Sequence, residues 1–176
     1  MLFSCRNISI ASDKDVAQIE RLLNSAYRGE SSKQGWTSEA HLIGGDTRTV
    51  ESEVREIIQS PGSFFLKYAD DENEIVGCVN LQKQGGKIYL GMFSVSPQLQ
   101  GGGIGKKLLQ ASEEFAKQVG VDIIYMTVIS VRSELITWYQ RHGYMDTGER
   151  KPFHEDPVSG NHLQELEFMV LEKRLR

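Results

Sequence analysis

The chain has 176 residues, a net charge of −4, 39% hydrophobic and 25% charged residues. That length fits one ordinary domain, able to bury a self-sufficient core without disulfides or metals. The acidic balance argues against nucleic acid as the main partner, because such domains carry a basic face, and no apolar run approaches the roughly 18 residues of a membrane span. The start of the chain, MLFSCRNISIASDKD, lacks the basic segment and apolar stretch of a signal peptide, so a cytoplasmic location is expected. Cys5 and Cys78 match no metal or redox spacing and read as buried or half-buried thiols.

Cys5 to Ile10 alternates weakly and predicts a first strand. Ser12 and Asp13 are helix-start residues, and Val16, Ile19, Leu22, Leu23 and Ala26 follow at helical spacing, which predicts a helix from Asp13 to Tyr27. Residues 28–49 are polar and glycine-rich, with a short helix expected at Ser38 to Ile43; so long a connection in a compact domain is usually functional or disordered. A second helix, Val50 to Gln59, stops at Pro61-Gly62. Strands are expected at 63–69, 75–82 and 87–95, joined by short turns into an antiparallel meander. Ile104, Leu108, Ala111, Phe115 and Val119 place a helix at 103–118, closed by Gly120. Asp122 to Ile129 is β-branched and apolar, as a buried strand is. Ser133 to Arg141 reads as a helix, and 144–150 and 162–172 as the last strands. The order is β-α-α-β-β-β-α-β-α-β-β, an α/β (α+β) chain with one parallel crossover in a mixed, mostly antiparallel sheet, and no linker divides residues 1–176.

The informative stretch is Val95-Ser96-Pro97-Gln98-Leu99-Gln100-Gly101-Gly102-Gly103-Ile104-Gly105-Lys106-Lys107, between a strand and a helix. Glycines there let a ligand approach the backbone, and the first helical turn offers unpaired N–H donors with partial positive charge. An anion site follows, with phosphate the obvious ligand and Lys106 or Lys107 adding charge. A Walker A loop fails, because Gln100 stands where it needs glycine and Lys107 where it needs Ser or Thr. The dinucleotide fingerprint fails at Lys106 or at Leu108, depending on register. The pattern Gln/Arg-x-x-Gly-x-Gly/Ala is met by Gln100, Gly103 and Gly105.

That pattern, with Val95-x-Pro97 before it and Leu108 after, resembles the coenzyme A motif of the GNAT superfamily of N-acetyltransferases. Trp138-Tyr139-Gln140-Arg141-His142-Gly143-Tyr144 is similar to that family's Tyr-x-x-x-Gly-Phe/Tyr signature, LEFMVLEKRL to its final strand, and the element order to its order over nearly the whole chain. Arg132 and Leu135 depart from it, standing where the family often has Asn and Ala.

The resemblance implies the acyl-CoA N-acyltransferase (GNAT) fold over 1–176. It implies transfer of the acetyl group of acetyl-CoA to a primary amine, of a small molecule or peptide, by direct attack in a ternary complex. A catalytically inactive coenzyme A-binding regulatory module is the alternative. It also implies that the strand ending at Val95 splays from the next parallel strand. The pantetheine arm would pair with the backbone of Phe93, Ser94 and Val95, and the pyrophosphate would rest on Gln100, Gly101, Gly102, Gly103, Ile104, Gly105 and Lys106. Tyr139 is expected near the thioester sulfur as general acid. The amine must be neutral, and no base is singled out; Glu30, Glu39, His41, His154 and a water chain stay open. The Glu30, Trp36 and His41 region and the 151–162 loop are expected to frame the acceptor, since loops on a rigid scaffold carry specificity. His154, Glu155 and Asp156 invite a metal, but nothing supplies a matching ligand set, so none is expected. A homodimer is compatible with the family's habits.

Overall fold

The computed structural model describes residues 1–155 and 157–176. Its elements are β1 (Ile8–Ile10), α1 (Val16–Tyr27), α2 (Gly29–Ser32), α3 (Glu51–Gln59), β2 (Ser63–Ala69), β3 (Ile75–Gln84), β4 (Lys87–Val95), α4 (Ile104–Gln118), β5 (Ile123–Ile129), α5 (Ser133–Arg141), β6 (Met145–Pro152) and β7 (Glu167–Arg174). The strands form one seven-stranded sheet in the order β1-β2-β3-β4-β5-β7-β6. Only β4 and β5 run parallel; every other pair is antiparallel.

The alternation of strand side chains builds the layers. On β2 and β3, Phe65 and Cys78 face a cluster with Val16, Ile19, Leu22, Leu23 and Val54, which are the apolar stripes of α1 and α3. Their neighbours Leu66 and Val79 face the other way, against Leu108, Ala111 and Phe115 of α4. The sheet thus lies between helices on both faces, with β5 and β7 extending the α4-side core through Ile124, Met126 and Leu171. At the entry to α1, Asp15 is buried and answered by Lys67 at 2.8 Å. No helix among the described residues is long and apolar enough to cross a membrane.

Several expected elements differ, and the first strand, expected over 5–10, spans only Ile8–Ile10. Residues 38–43 form a turn rather than a helix, because Ile43 is drawn into a bridge with His162. A one-turn helix, α2, forms upstream of it instead, entered through Gly29 at φ +69°. The last strand begins only at Glu167, since His162 pairs with the 38–43 turn and not with β5.

Candidate functional site

The site starts from a break in the sheet. β4 and β5 share just two paired positions, Ile88↔Ile124 and Tyr89↔Tyr125, and then separate, as expected from the resemblance. The cause lies on the other edge of β4. Between Asn80↔Gly91 and Cys78↔Ser94, β4 uses one more residue than β3, and Met92 takes φ +48°. Such a bulge bends the strand and raises its twist. The end of β4 leaves β5, and a V-shaped gap opens between them.

The glycine loop closes the top of the gap. Gly101 and Gly103 take φ +88° and +87°, Gly103 is the N-cap of α4, and a Cβ on either would meet nothing within 4 Å. The backbone is therefore held in a conformation only glycine adopts easily, around space that protein does not fill. The N-terminus of the 15-residue α4 directs its partial positive charge there.

An outer cavity of 730 Å³ runs below this loop, walled by Trp36, Phe93 and Trp138. The two tryptophan rings stand 6.3 Å apart. Of the predicted cofactor residues, all but Gly102 and Ile104 line the cavity. Gly102 turns outward in the loop, and Ile104 is half-buried, its methyl close to Gly77 of the sheet. The Gln100 side chain is a tie. Its Oε1 accepts from the Trp36 N–H at 2.8 Å, and its Nε2 donates to Thr37 Oγ1 at 2.8 Å and to the Val95 carbonyl at 3.0 Å. The Phe93 carbonyl accepts from the Tyr27 hydroxyl.

A smaller inner cavity of 250 Å³ lies deeper in the gap. Tyr27, Phe93, Leu135 and Tyr139 line both cavities and so stand between them. Tyr139 comes from α5 and is buried among the rings of Phe93, Trp138 and Tyr144. Burial first, then the neighbouring Tyr27 and Tyr144, holds its phenol well above the usual tyrosine range. Burial also pushes Tyr27 up to about 12, with Glu39 adding to the rise and Arg132 opposing it. Ser94 Oγ, at the end of β4, is buried without a well-formed hydrogen bond.

Beside the inner cavity two buried guanidinium groups share one carboxylate. Arg28 Nη1 donates to Glu39 Oε2 at 2.5 Å and its Nε to the Ser159 carbonyl at 3.1 Å. Arg132 Nη1 donates to Glu39 Oε1 at 3.3 Å and its Nη2 to the Thr37 carbonyl at 2.7 Å. Glu39 is thereby engaged as an ion-pair partner. His154 and Arg48 line the same cavity. Glu30 stands exposed on α2 in a pair with Lys33, and His41 is exposed on the 38–43 turn; neither lines either cavity, whereas Trp36 does. Among the described residues no group of three or more His, Cys, Asp or Glu side chains gathers as a metal site, and Asp156 lies outside them.

Sequence reasoning missed Tyr27, Arg28 and Arg48. Tyr27 and Arg28 close the periodic run of α1, and a Tyr-Arg pair at a helix end reads there as an ordinary terminus. Arg48 sits in a polar segment without periodicity, so no local pattern marks it.

The acetyltransferase (GNAT) family profile matches residues 16–144. An IAA acetyltransferase of Azospirillum brasilense is 26% identical over 146 residues, 82% of this chain and 83% of that protein. Among solved structures, a Streptococcus mutans UA159 protein superposes with a TM-score of 0.72 at 18% identity, covering 96% of this chain and 99% of its own. The ribosomal-protein-S18-alanine N-acetyltransferase of Escherichia coli gives 0.69 at 13%, covering 96% and 92%. The splayed strands and the glycine loop over them are thus those of the acyl-CoA N-acyltransferase fold. The chain belongs to the acetyltransferase (GNAT) family. Proteins of that family generally take acetyl-CoA as co-substrate and need an acceptor for the acyl group.

Proposed function

We propose that the protein transfers the acetyl group of acetyl-CoA to a primary amine by direct attack within a ternary complex. The observation that carries this reading is that Tyr139 lines both an outer cavity beneath the N-terminus of α4 and a smaller cavity of acceptor size. The amides of the 101–106 loop would hold the pyrophosphate, aided by α4 and Lys106. The pantetheine arm would follow the free edge of β4 at Phe93 to Val95. Its carbonyls there already accept from Tyr27 and Gln100, so pantetheine amides share those acceptors or displace the donors.

In the reaction the amine lone pair attacks the thioester carbonyl carbon. The N–C bond forms, the C–S bond breaks, and the nitrogen loses its extra proton to a base or to water. Ser94 Oγ and the backbone amides at the end of β4 would stabilise the oxyanion. A thiol loses its proton near 8.5, far below the raised phenol of Tyr139. Tyr139 therefore serves as a hydrogen-bond donor to the departing thiolate more than as a full proton donor. Glu39 is occupied by two guanidinium groups and is poorly placed as a free base. Desolvation and the cationic lining of the inner cavity both favour the neutral amine instead.

The test is free-thiol release from acetyl-CoA with a panel of primary amines, alongside coenzyme A titration. Tyr139→Phe should lower kcat strongly while the coenzyme A dissociation constant stays within twofold. Equal turnover by that variant rejects the role of Tyr139. Tight coenzyme A binding with no thiol release from any amine would instead mark a regulatory module.

A further inference from the structure

We infer that the acceptor amine carries a carboxylate, which Arg48 holds in the inner cavity, next to a compact apolar group. The inference rests on the acyl-transfer reading above and names the acceptor class of that same site.

Charge supplies the first reason. Among the described residues, three guanidinium groups, Arg28, Arg48 and Arg132, line the inner cavity against a single carboxylate, Glu39. Arg28 and Arg132 have side chains only 1% and 7% exposed, and both spend that one carboxylate. Arg48 is half-buried, and surplus positive charge beside two buried guanidinium groups is costly unless an anion completes the cluster. Arg48 is the member left over. Among the described residues no Asp or Glu pairs with it.

Placement supplies the second. Asn24, on α1, accepts from the Arg48 and Thr49 amides through Oδ1 at 2.5 and 3.0 Å, and donates from Nδ2 to the Thr49 carbonyl at 3.1 Å. Thr49 is fully buried, so the backbone that presents Arg48 to the cavity is anchored. A guanidinium with an unspent planar fork matches a carboxylate in two parallel hydrogen bonds. Met92, Met126, Val128 and Phe168 give the wall an apolar side, beside the polar Thr127, Ser159, Tyr89 and His154. At about 30 Å³ for each water, a cavity of 250 Å³ holds an acceptor of on the order of ten non-hydrogen atoms. An apolar amino acid fits this chemistry better than a polyamine or a cationic drug, which the arginines would repel. The same positive field that holds the carboxylate also keeps the attacking amine from being protonated.

The experiment uses matched acceptors: phenylalanine, alanine and leucine, their amides, and the corresponding decarboxylated amines, each assayed by thiol release from acetyl-CoA. The acids are expected to exceed their amides and amines at least tenfold in kcat/KM. Arg48→Gln should bring the acid-to-amide ratio to about one, and Arg48→Lys, which keeps the charge, should retain part of it. Coenzyme A affinity reports that the variants remain folded. Amides or amines used as well as acids, or an acid preference that survives Arg48→Gln, would overturn the inference. Should no amine release thiol, the acyl-transfer reading fails by itself, and calorimetric binding of N-acetylphenylalanine against N-acetylphenylalaninamide decides the carboxylate question. Preference for the acid that Arg48→Gln abolishes supports it; equal or undetectable binding ends it.

Discussion

Gly105→Ala separates ligand space from protein packing by giving two effects of opposite sign. Gly105 lies in the first turn of α4 with an ordinary helical backbone, so alanine meets no conformational barrier there. A Cβ at that position would sit 3.7 Å from Phe93 and Trp138 and 3.8 Å from Val95, which is normal van der Waals contact. Exchanging glycine for alanine within a helix stabilises it by about 0.5–1 kcal/mol. For a chain of this size that is a rise in Tm of about 1–4 °C. Yet Gly105 also lines the outer cavity where the pyrophosphate is proposed to rest, and a methyl there would push the phosphates from the amides. The expected loss of coenzyme A affinity is about tenfold, or ~1.4 kcal/mol. Differential scanning calorimetry of the free protein and calorimetric titration with coenzyme A read the two effects separately. A higher Tm with an unchanged dissociation constant would refute the proposed phosphate position. A lower Tm would refute the packing described around the turn.

Two further outcomes concern the buried charges and phenols. Glu39→Gln leaves Arg28 and Arg132 without their shared counter-charge and should cost about 3 kcal/mol in urea unfolding, since breaking a buried pair strands a charge; a loss under about 1 kcal/mol would show the pair to be incidental. Alkaline pH should unfold the protein through its buried tyrosines. Below pH 10 Tyr27 is neutral whether folded or unfolded and adds no pH dependence. Between about 10 and 12 the unfolded chain releases the proton while the folded one retains it, so stability falls by up to about 3 kcal/mol from this residue. Tyr139 and Tyr144, also raised by burial, act in the same direction. Urea midpoints followed from pH 8 to 12 should be flat and then fall, and Tyr27→Phe should flatten the fall.

The scaffold was legible in the sequence because its signals are local. The stripe Val16, Ile19, Leu22, Leu23, Ala26 announces α1, and all five residues are buried. The glycine loop announced itself because Gly101 and Gly103 answer a backbone need that no other residue meets cheaply. The inner cavity was not legible for the opposite reason. Its lining comes from α1, the 28–49 segment, β4, β5, Arg132 and α5, the loop before β7 and β7 itself, and those side chains are brought together only by the fold. The 28–49 segment shows the limit well. Its turn at 38–43 is fixed by a bridge to His162, more than a hundred residues away, and no propensity encodes such a partner.

Arg132 is where the local and the distant parts of the site meet. It stands where the family often has Asn, which in sequence terms puts a pantetheine contact in question. In the structure it does different work. Gln100 ties the glycine loop to Trp36 and Thr37, Arg132 takes the Thr37 carbonyl and Glu39, and Glu39 takes Arg28, whose Nε reaches the Ser159 carbonyl. An unbroken chain of polar contacts therefore runs from the proposed phosphate site to the wall of the acceptor cavity. An asparagine at this position, just before α5, is too short to reach both Thr37 and Glu39 at once. The longer side chain fastens the 36–39 strap across the gap and at the same time adds the positive charge that an anionic acceptor would answer. The departure from the family pattern thus belongs with the arginine surplus of the inner cavity, as the side chain that fixes the 37–39 backbone and Glu39 in place.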